Sequence, residues 1–427
     1  MPSREIDVSM IYDFQCNYVI RQCEDQYLVI NPLDSNWLVL SSEELLIFEY
    51  LKSNSIEQAI NKFEEDDVIS VVTQIEAKEF YITHSIHFFD DKSLFVYLTN
   101  KCNLKCNHCY MFSGEYSIEE IDIATWKTTL QDFVNIGGQY VTFSGGEVTI
   151  YKGFQDIIKF AKEIGLMVTV LSNGILWSEE LVSQLHSYID EIQLSMDGYD
   201  KESYKKVRNY DGFSKVINTI ELFRKYNNIN ISVSITPLYD DLDEFCANFY
   251  SFAVDFMNKY PNVFLKFNYE LIDGRNVESD EKLNSQYRKQ VKQLVDKIYP
   301  GFSSQVFANS YVNFERINSC GYGGITIAAN GDVYFCNRIT ELKPFGNIKN
   351  LSIKEIYHKS HEVLFEHSVD KVIPCKDCEI KYLCGGGCRL KYECKSDGTI
   401  INSNCDLKNK QSYYKKMISA NEYFYLE

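Results

Sequence analysis

Three cysteines stand close together in the stretch Cys102-Asn-Leu-Lys-Cys106-Asn-His-Cys109-Tyr. They directly follow the run Leu94-Phe-Val-Tyr-Leu98, which has the composition of a buried strand. Thiolate is the ligand that zinc and iron–sulfur clusters select, and a short loop can wrap three cysteines around one soft metal centre. Three ligands are one fewer than a closed tetrahedral site needs. An open fourth position is typical of a metal centre that does chemistry rather than one that only stabilises a fold.

A second group of cysteines lies in the C-terminal region. Eight of the fourteen cysteines are found there: Cys320, Cys336, Cys375, Cys378, Cys384, Cys388, Cys394 and Cys405. The first two flank a predicted hairpin that turns at Asn330-Gly331. Three consecutive glycines, at 385–387, let the backbone fold tightly around bulky inorganic sulfide. Because zinc ribbons have similar short cysteine pairs, this spacing alone fits two clusters or two zinc ions.

The composition is that of an ordinary globular protein long enough for two or three domains. The 427 residues are 45% hydrophobic and 24% charged. The formal net charge is −17 and no basic stripe is present, so nucleic acid is not an expected partner. No apolar run has the length of a membrane span, and the first residues lack an apolar signal region. We therefore expect a cytoplasmic protein without a membrane partner, in which disulfides are rare and clustered cysteines indicate metal or catalysis.

Residues 1–90 have the pattern of a small separate domain. Apolar runs at 16–30 and 37–40 predict short strands. Two amphipathic helices are predicted next, one capped by Ser41-Ser42-Glu43-Glu44 and the other over 55–64. This order is typical of a winged-helix-like domain, which can bind a peptide by adding a strand to an exposed sheet edge. A domain that only packs against the rest of the chain is the alternative.

From 91 to 300, predicted strands and helices alternate. Six strands are expected, at 94–99, 139–144, 166–172, 190–196, 229–236 and 263–271. Six helices are expected, at 119–136, 153–164, 178–187, 212–227, 241–259 and 279–298. The alternation predicts a parallel sheet, open or rolled into a barrel, with fewer units than the eight of a complete barrel. Ligands bind at the carboxyl ends of the strands in such folds, and the cysteine loop follows the first strand.

Polar residues follow the next strands at the same edge. Gly145, Gly146 and Glu147 come after the second strand, where paired glycines let the backbone approach a ligand and a carboxylate can hold a cationic amine. Short polar side chains follow the third and fourth strands: Ser172, Asn173, Ser195 and Asp197. They can bind hydroxyls or a carboxylate, although each is also a common cap or turn residue. Arg208 can pair with a carboxylate or stay solvated.

With these residues in view, the sequence resembles the radical S-adenosylmethionine (radical SAM) superfamily, and within it the peptide maturases that carry a SPASM domain. The C-x3-C-x2-C loop is similar to the family signature, and Gly145-Gly146-Glu147 is similar to its GGE motif. The C-terminal spacing, C-x10-G-x4-C followed by C-x2-C-x5-C-x3-C and a final cysteine, is similar to the SPASM pattern. The resemblance covers residues 94–410. Residues 1–90 resemble, more loosely, the leader-peptide recognition domain fused to such maturases.

The resemblance implies a fold, three domains and a set of cofactors. The fold is α/β: a partial (β/α)6 TIM-like barrel over 91–300, a winged-helix-like peptide-recognition domain over 1–90 and an iron–sulfur SPASM domain over 301–427. The cofactors are S-adenosylmethionine and three 4Fe–4S clusters, one radical SAM and two auxiliary. By the same resemblance Cys102, Cys106 and Cys109 hold the first cluster and leave one iron open for the amino and carboxyl groups of S-adenosylmethionine.

The remaining site residues also take their roles from the resemblance. Gly145, Gly146 and Glu147 would bind the methionyl amine, and Arg208 would pair with the carboxylate. The ribose and methionyl contacts would come from Ser172, Asn173, Ser195 and Asp197. His108 stands where many family members carry an aromatic residue near the adenine, and we interpret it as a planar packing group rather than a metal ligand.

Two auxiliary clusters are implied, with one departure from the family pattern. One would be held by Cys375, Cys378, Cys384 and Cys405. The other would be held by Cys320, Cys336 and Cys388. Some relatives supply a fourth cysteine about six positions earlier, where this chain has Phe314. The second cluster is therefore either open at one iron or closed by Cys394.

The implied function is radical modification of a ribosomally made precursor peptide whose leader binds residues 1–90. The leading product is a crosslink, most specifically a cysteine thioether, and the electrons come from an external low-potential donor. Alternatives within the class are a carbon–carbon or ether crosslink, epimerisation and sulfatase maturation. A zinc-containing peptide-binding protein is the alternative from a different class.

Overall fold

We describe a computed structural model of the chain over residues 6–86, 92–115, 118–302, 304–305, 307–308, 321–403, 405 and 407–421. The N-terminal part has three strands and three helices: β1 Val19–Cys23, β2 Gln26–Ile30, β3 Trp37–Leu40, α1 Ser42–Leu51, α2 Ile56–Ile60 and α3 Glu65–Ala77. The strands form an antiparallel sheet in chain order. The predicted cap of α1 is confirmed, because Ser41 and Glu44 each accept a hydrogen bond from the other's backbone N–H.

The central part alternates strands and helices, as predicted. Its strands are β4 Ser93–Tyr97, β5 Tyr140–Ser144, β6 Met167–Ser172, β7 Glu191–Ser195, β8 Asn230–Ile235 and β9 Val263–Phe267. Its helices are α4 Ile123–Asn135, α5 Phe154–Glu163, α6 Glu179–Leu185, α7 Lys201–Arg208, α8 Phe213–Phe223, α9 Leu242–Lys259 and α10 Glu281–Ile298. Neighbouring strands pair in parallel from β4 to β9. The cysteine loop therefore leaves the carboxyl end of the first of six parallel strands.

The predicted C-terminal hairpin is present, and it extends this sheet. Its strands are β10 Ile325–Ile327, β11 Asp332–Tyr334 and β12 Gly346–Asn347. β10 pairs in parallel with β4, and β11 pairs antiparallel with both of its neighbours. The result is a nine-stranded sheet in the order β12-β11-β10-β4-β5-β6-β7-β8-β9. This pairing brings the end of β11 and Cys336 to the strand that carries the cysteine loop.

The C-terminal part consists mostly of short elements: α11 Ile353–Glu366, α12 Lys381–Cys384, β13 Glu393–Cys394, β14 Ile400–Ile401 and α13 Leu407–Asn421. Overall the chain forms two compact units. The first combines residues 1–90 with 301–321 and 365–427, and the second combines 91–300 with 322–364. The region after residue 300, predicted as one domain, therefore contributes to both units.

Within the first unit, the strands β2 and β3 carry buried apolar residues on both faces of their sheet. Val29 and Leu38 pack against the helices α1 to α3. Ile30 and Trp37 face the other way and pack with residues of α12 and α13. The indole Nε1 of Trp37 donates to the carbonyl oxygen of Met417 at 3.1 Å. Because both faces are covered, the N-terminal and C-terminal segments share one core.

Before residue 300, two helices were absent from the sequence prediction. α3 was missed because its first turn is acidic, and the predicted helix over 55–64 includes only the shorter α2. α7 was missed because it is rich in lysine, although Tyr204, Val207 and Arg208 on one face are buried. Among the described helices, none combines the length and the apolar character that crossing a membrane demands.

Candidate active site

A cavity of about 500 Å³ lies at the carboxyl ends of the parallel strands. Nine of the twelve residues predicted to bind the first cluster or S-adenosylmethionine line it: Cys102, Cys106, His108, Cys109, Gly145, Gly146, Asn173, Ser195 and Arg208. They come from the loops after β4, β5 and β6, from the last residue of β7 and from α7. The volume falls in the usual range of small-molecule sites.

The Gly-Gly-Glu segment is bonded to the chain just before the cysteine loop. The backbone N–H of Gly146 donates to Thr99 O at 2.7 Å, and that of Glu147 donates to Lys101 O at 2.9 Å. A Cβ on Gly146 would stand 2.3 Å from Lys101 O, and one on Gly145 would stand 2.5 Å from Thr99 O. The two glycines are therefore required by the close approach of two backbones, in addition to any ligand that they meet.

Glu147 lies behind the cavity wall and is 1% exposed. Its carboxylate accepts hydrogen bonds from Ser172 Oγ, Thr149 Oγ1 and the backbone N–H of Asn173, each at 2.8 Å. Burial raises the pKa of Glu147, and these hydrogen bonds oppose that shift. Glu147 and Ser172 do not line the cavity in this arrangement. Instead they hold Asn173 in place, and Asn173 lines the cavity.

Asp197 is the second buried carboxylate behind the wall, at 0% exposed. It accepts a hydrogen bond from the backbone N–H of Thr236 at 2.7 Å and pairs with Arg208 Nη2 at 2.5 Å. Burial acts to lower the pKa of Arg208, but Asp197 and then Cys106 raise it above its usual value. Arg208 therefore enters the cavity wall as a cation that Asp197 orients.

His108 also borders Asp197, with its Nε2 at 3.5 Å from the carboxylate. Burial lowers the pKa of His108 to about 4 despite this carboxylate, so the imidazole is neutral at pH 7. Its Nδ1 is buried without a hydrogen-bond partner among the described residues. A neutral planar ring with an unpaired nitrogen fits the wall of a site for an aromatic ligand with polar edges.

The thiols of the loop have the surroundings of metal ligands. Cys102 Sγ accepts from Leu104 N at 3.4 Å and Asn173 Nδ2 at 3.9 Å, and Cys106 Sγ accepts from Arg208 Nη1 at 3.5 Å. Such donors stabilise thiolates bound to iron. Burial raises the pKa of Cys102 to about 11, so a bound cation is needed to hold it as thiolate at pH 7.

The three cysteines of the loop, Cys102, Cys106 and Cys109, are free thiols. Within the described part of the chain, no three Cys, His, Asp or Glu side chains converge closely enough to hold a single metal ion. In a cubane cluster each thiolate binds a different iron atom, so the ligating sulfurs stand further apart. Three free thiols on one cavity wall, with N–H donors directed at two of them, fit a cluster held by three cysteines.

Two tyrosines that sequence reasoning missed connect the loop to the Cys336 segment. The hydroxyls of Tyr97 and Tyr110 are 2.5 Å apart, and Tyr97 donates to Asn337 O at 2.7 Å. All three residues line the cavity. Sequence position was the available signal, since Tyr110 directly follows Cys109 and Asn337 directly follows Cys336.

A charged pair that was also missed lies on the cavity wall. Arg338 Nη1 is 3.4 Å from Glu270 Oε2, and Glu270 is the carboxylate found among the described lining residues. Glu270 follows the carboxyl end of β9, a position at which parallel sheets place ligand contacts. The predicted strand extended to residue 271 and so concealed this loop.

The C-terminal cysteines are divided between the two units. Cys336 belongs to the second unit, with the cavity. The first unit contains Cys375, Cys378, Cys384, Cys388, Cys394 and Cys405. Cys320 lies outside the described residues, so the grouping of Cys320, Cys336 and Cys388 stays a prediction.

Two cysteines of the first unit act electrostatically on a third, Cys375. Burial raises the pKa of Cys375, and nearby Cys405 and Cys384 raise it further, although Asn402 Nδ2 donates to its Sγ at 3.6 Å. Cys394 is exposed. The predicted set of Cys375, Cys378, Cys384 and Cys405 therefore includes Cys375 and two cysteines that raise its pKa.

Comparison with known protein families agrees with this geometry. Residues 96–252 match the model of the Radical SAM superfamily, and residues 319–379 match the SPASM model, described as an iron–sulfur cluster-binding domain. The chain contains a radical SAM domain and a SPASM domain. These two domains imply 4Fe–4S clusters and S-adenosylmethionine as cofactors.

Several curated relatives are similar to parts of the chain. The sporulation killing factor maturation protein SkfB of Bacillus subtilis is 31% identical over 39% of this chain and 42% of that protein. The antilisterial bacteriocin subtilosin biosynthesis protein AlbA of the same organism is 26% identical over 76% of this chain and 69% of that protein. The chain thus spans less than half the length of SkfB and about two thirds of AlbA.

Solved structures share the fold. The structure "Native anSMEcpe with bound AdoMet" has a TM-score of 0.60 and 22% identity, covering 77% of this chain and 99% of that chain. Streptococcus suis SuiB has a TM-score of 0.52 and 17% identity, covering 92% of this chain and 100% of that chain. The expected α/β partial barrel is therefore confirmed.

Proposed function

We propose that this chain is a peptide maturase that abstracts a hydrogen atom from a ribosomally made precursor peptide and installs a crosslink. The observation that carries the proposal is the cavity in which the cysteine loop, Gly145, Gly146, Asn173 and Arg208 meet at the carboxyl ends of the strands. A site with a three-cysteine loop at this edge suits a cofactor that generates a radical beside a bound substrate.

The cofactor pair, a reduced 4Fe–4S cluster and S-adenosylmethionine, supplies a 5′-deoxyadenosyl radical that removes hydrogen from an unactivated carbon. The cluster would be held by Cys102, Cys106 and Cys109. Arg208, oriented by Asp197, supplies a cation for a carboxylate. Neutral His108 supplies a flat wall for the adenine, and the backbone at Gly145 and Gly146 leaves room for the methionyl part. These residues position the reactants and exclude water, which is the protein's task in such chemistry.

A peptide substrate is supported by what the relatives are. SkfB is a maturation protein, AlbA serves the biosynthesis of a bacteriocin, and a further relative is the mycofactocin maturase MftC of Mycolicibacterium smegmatis, 30% identical over 35% of this chain. In this chain we assign leader binding to residues 1–90. They contain a small antiparallel sheet with two edge strands, and sheet edges bind extended peptides through backbone hydrogen bonds.

The thioether is the specific product that we propose. Cys336 lies in the unit that contains the cavity, and its neighbours Asn337 and Arg338 line the cavity wall. A substrate thiolate held near Cys336 would face a carbon activated at the cysteine loop. Crosslinking removes two hydrogen atoms from the peptide, one as a hydrogen atom and one as a proton with an electron. The electron would leave through the iron–sulfur sites, and an external low-potential donor would start each cycle.

The test is the mass and thiol content of the precursor peptide after incubation with anaerobic enzyme, reductant and S-adenosylmethionine. A thioether predicts the loss of two hydrogen atoms and of one free thiol per crosslink. The same mass loss with every thiol retained would replace the thioether by a carbon–carbon or ether crosslink. Deoxyadenosine formation with an unchanged peptide mass would leave epimerisation as the peptide reaction, and absence of any change in the peptide would overturn the proposal.

Metal analysis separates this function from that of a zinc-containing peptide-binding protein. Three cubane clusters predict about twelve iron atoms per chain and a brown protein. A colourless protein with stoichiometric zinc would instead support the peptide-binding alternative.

A further inference from the structure

The segment Gly274-Arg275-Asn276, in the connection between β9 and α10, lies against the cysteine loop. The backbone N–H of Arg275 donates to Cys109 O at 3.2 Å, and that of Asn276 donates to Asn107 O at 2.8 Å. The side chain of Asn276 also donates to Asn107 Oδ1 at 2.7 Å. The loop thus pairs with a segment more than 160 positions later in the chain.

The guanidinium of Arg275 makes three further contacts, which lie within residues 106–115 at the end of the cysteine loop and just after it. Nη1 donates to Cys106 O at 2.9 Å, Nη2 donates to Ser113 O at 2.8 Å, and Nε pairs with Glu115 Oε1 at 2.5 Å. The side chain is 11% exposed. A planar guanidinium can bind three acceptors in different directions at once, whereas a lysine ammonium lacks this fixed fork.

Because Gly274 has no side chain, the segment 274–276 can approach the backbone of the cysteine loop closely. A Cβ at Gly274 would stand 2.7 Å from the carbonyl oxygen of His108 and 2.8 Å from its carbonyl carbon. Real side chains do not tolerate such a distance to a backbone, so an alanine at this position would push the loop away from Arg275.

We propose that Arg275 is a positioning residue that sets the curvature of residues 106–115 and directs Cys106 and Cys109 toward the cavity. Its guanidinium, 11% exposed, also places a cation against the backbone of Cys106, where it lowers the cost of thiolate charge on the cysteine loop and raises the reduction potential of a cluster bound there. Arg275 does not line the cavity, so this role differs from that of Arg208. The inference rests on the proposed function only in taking the ligand of the loop to be an iron–sulfur cluster.

The test compares Arg275→Lys, Arg275→Gln and Gly274→Ala in the 427-residue chain. The first measurement is amide hydrogen exchange across residues 106–115, with and without reconstituted iron. We expect each variant to exchange about tenfold faster there, because bonds to the loop are lost or the segment is displaced. The second measurement is the midpoint potential of the cluster whose electron paramagnetic resonance signal changes on addition of S-adenosylmethionine.

The two measurements separate geometry from charge. Arg275→Gln should lower the potential, while Arg275→Lys, which keeps a cation, should stay near the parent value. Arg224→Gln, which removes a partly exposed arginine paired with Glu221 on α8, is the matched control and should change neither quantity. Unchanged loop exchange in both Arg275 variants would overturn the positioning role, and an unchanged potential in Arg275→Gln would overturn the electrostatic role. Because exchange needs neither peptide nor turnover, a failed peptide reaction leaves the exchange result interpretable.

Discussion

The two cysteine-rich regions of this chain are supported in different ways. The loop at 102–109 follows a central parallel strand. The backbones of Gly146 and Glu147 are bonded to the residues just before the loop, and the backbone of Arg275 is bonded to Cys109. Residues 375–405 lie among a four-residue helix and two-residue strands. A sheet therefore holds the first region, whereas little regular structure is present to hold the second.

In the second region, side chains bind the carbonyl groups of the glycine run. Gly385, Gly386 and Gly387 have φ angles of 65°, 80° and 75°, so their carbonyls cannot join a helix or a strand. Arg389 Nη1 donates to Gly385 O at 2.5 Å and to Gly387 O at 2.6 Å. Tyr392 Oη donates to Gly386 O at 2.7 Å. The difference teaches that a thiolate-rich loop can be ordered by the neighbouring backbone or by a few buried donors.

The largest expected effect is the loss of activity, which distinguishes the chemical roles of the two cysteine-rich regions. Cys102→Ala should abolish deoxyadenosine formation and peptide modification together, because the radical-forming cluster loses a ligand. Cys375→Ala should keep deoxyadenosine formation and lose most of the peptide product. Each variant should lose about four iron atoms per chain. Chromatography of deoxyadenosine and mass spectrometry of the peptide make the comparison, and deoxyadenosine made by the Cys102→Ala protein would refute the division of roles.

The next largest effect is on local stability, and it is expected from substituting a glycine in each of the two regions. Gly146→Ala places a Cβ against the backbone of Lys101 and should lower the local free energy of opening by about 3 kcal/mol. Gly387→Ala meets nothing within 4 Å and costs only the left-handed conformation at φ 75°, about 1 kcal/mol. Hydrogen exchange of each segment measures both values. Equal costs would show that the two glycines are constrained in the same way.

Arg389→Met tests whether buried side chains stabilise the second region. The substitution keeps the apolar stem and removes the guanidinium that donates to the carbonyls of Gly385 and Gly387, at a cost of about 2 kcal/mol of local stability. Exchange should rise across 384–388 and stay unchanged across 102–109. Lys395→Met, in the exposed turn between β13 and β14, is the control and should lie within about 0.5 kcal/mol of the parent protein.

The smallest expected effect concerns the tyrosine pair. Tyr97→Phe removes a hydroxyl bonded to Tyr110 and to Asn337 O, and should cost about 1 kcal/mol of local stability. We expect the yield of modified peptide per deoxyadenosine to fall, because the Cys336 segment loses a contact with the cysteine loop. Tyr151→Phe, which removes a hydroxyl bonded to Ile121 O away from the cavity, is the matched control. The same yield in both variants would show that the Tyr97 hydroxyl only stabilises the fold.

Much of the architecture could be predicted because it depends on local patterns. The strands β5 and β6 were predicted within one residue of their bounds, since short apolar runs between turn residues identify buried parallel strands. The nine cavity-lining residues could be predicted because parallel strands bring their carboxyl ends to one edge. Helix α7 was not predicted, because its charged residues conceal a buried face that exists only against the sheet. That helix carries Arg208 into the site.

The sequence by itself determined the class of chemistry, the order of the strands along the chain and the residues that follow each strand. Those features depend on residue type and short-range spacing. Only the tertiary structure decided that Glu147 and Asp197 lie behind the cavity wall, that β10 pairs with β4, and that Arg275 holds the cysteine loop. Such contacts join residues far apart in the chain through close backbone approaches and buried hydrogen bonds, and neither residue type nor spacing encodes which partners will meet.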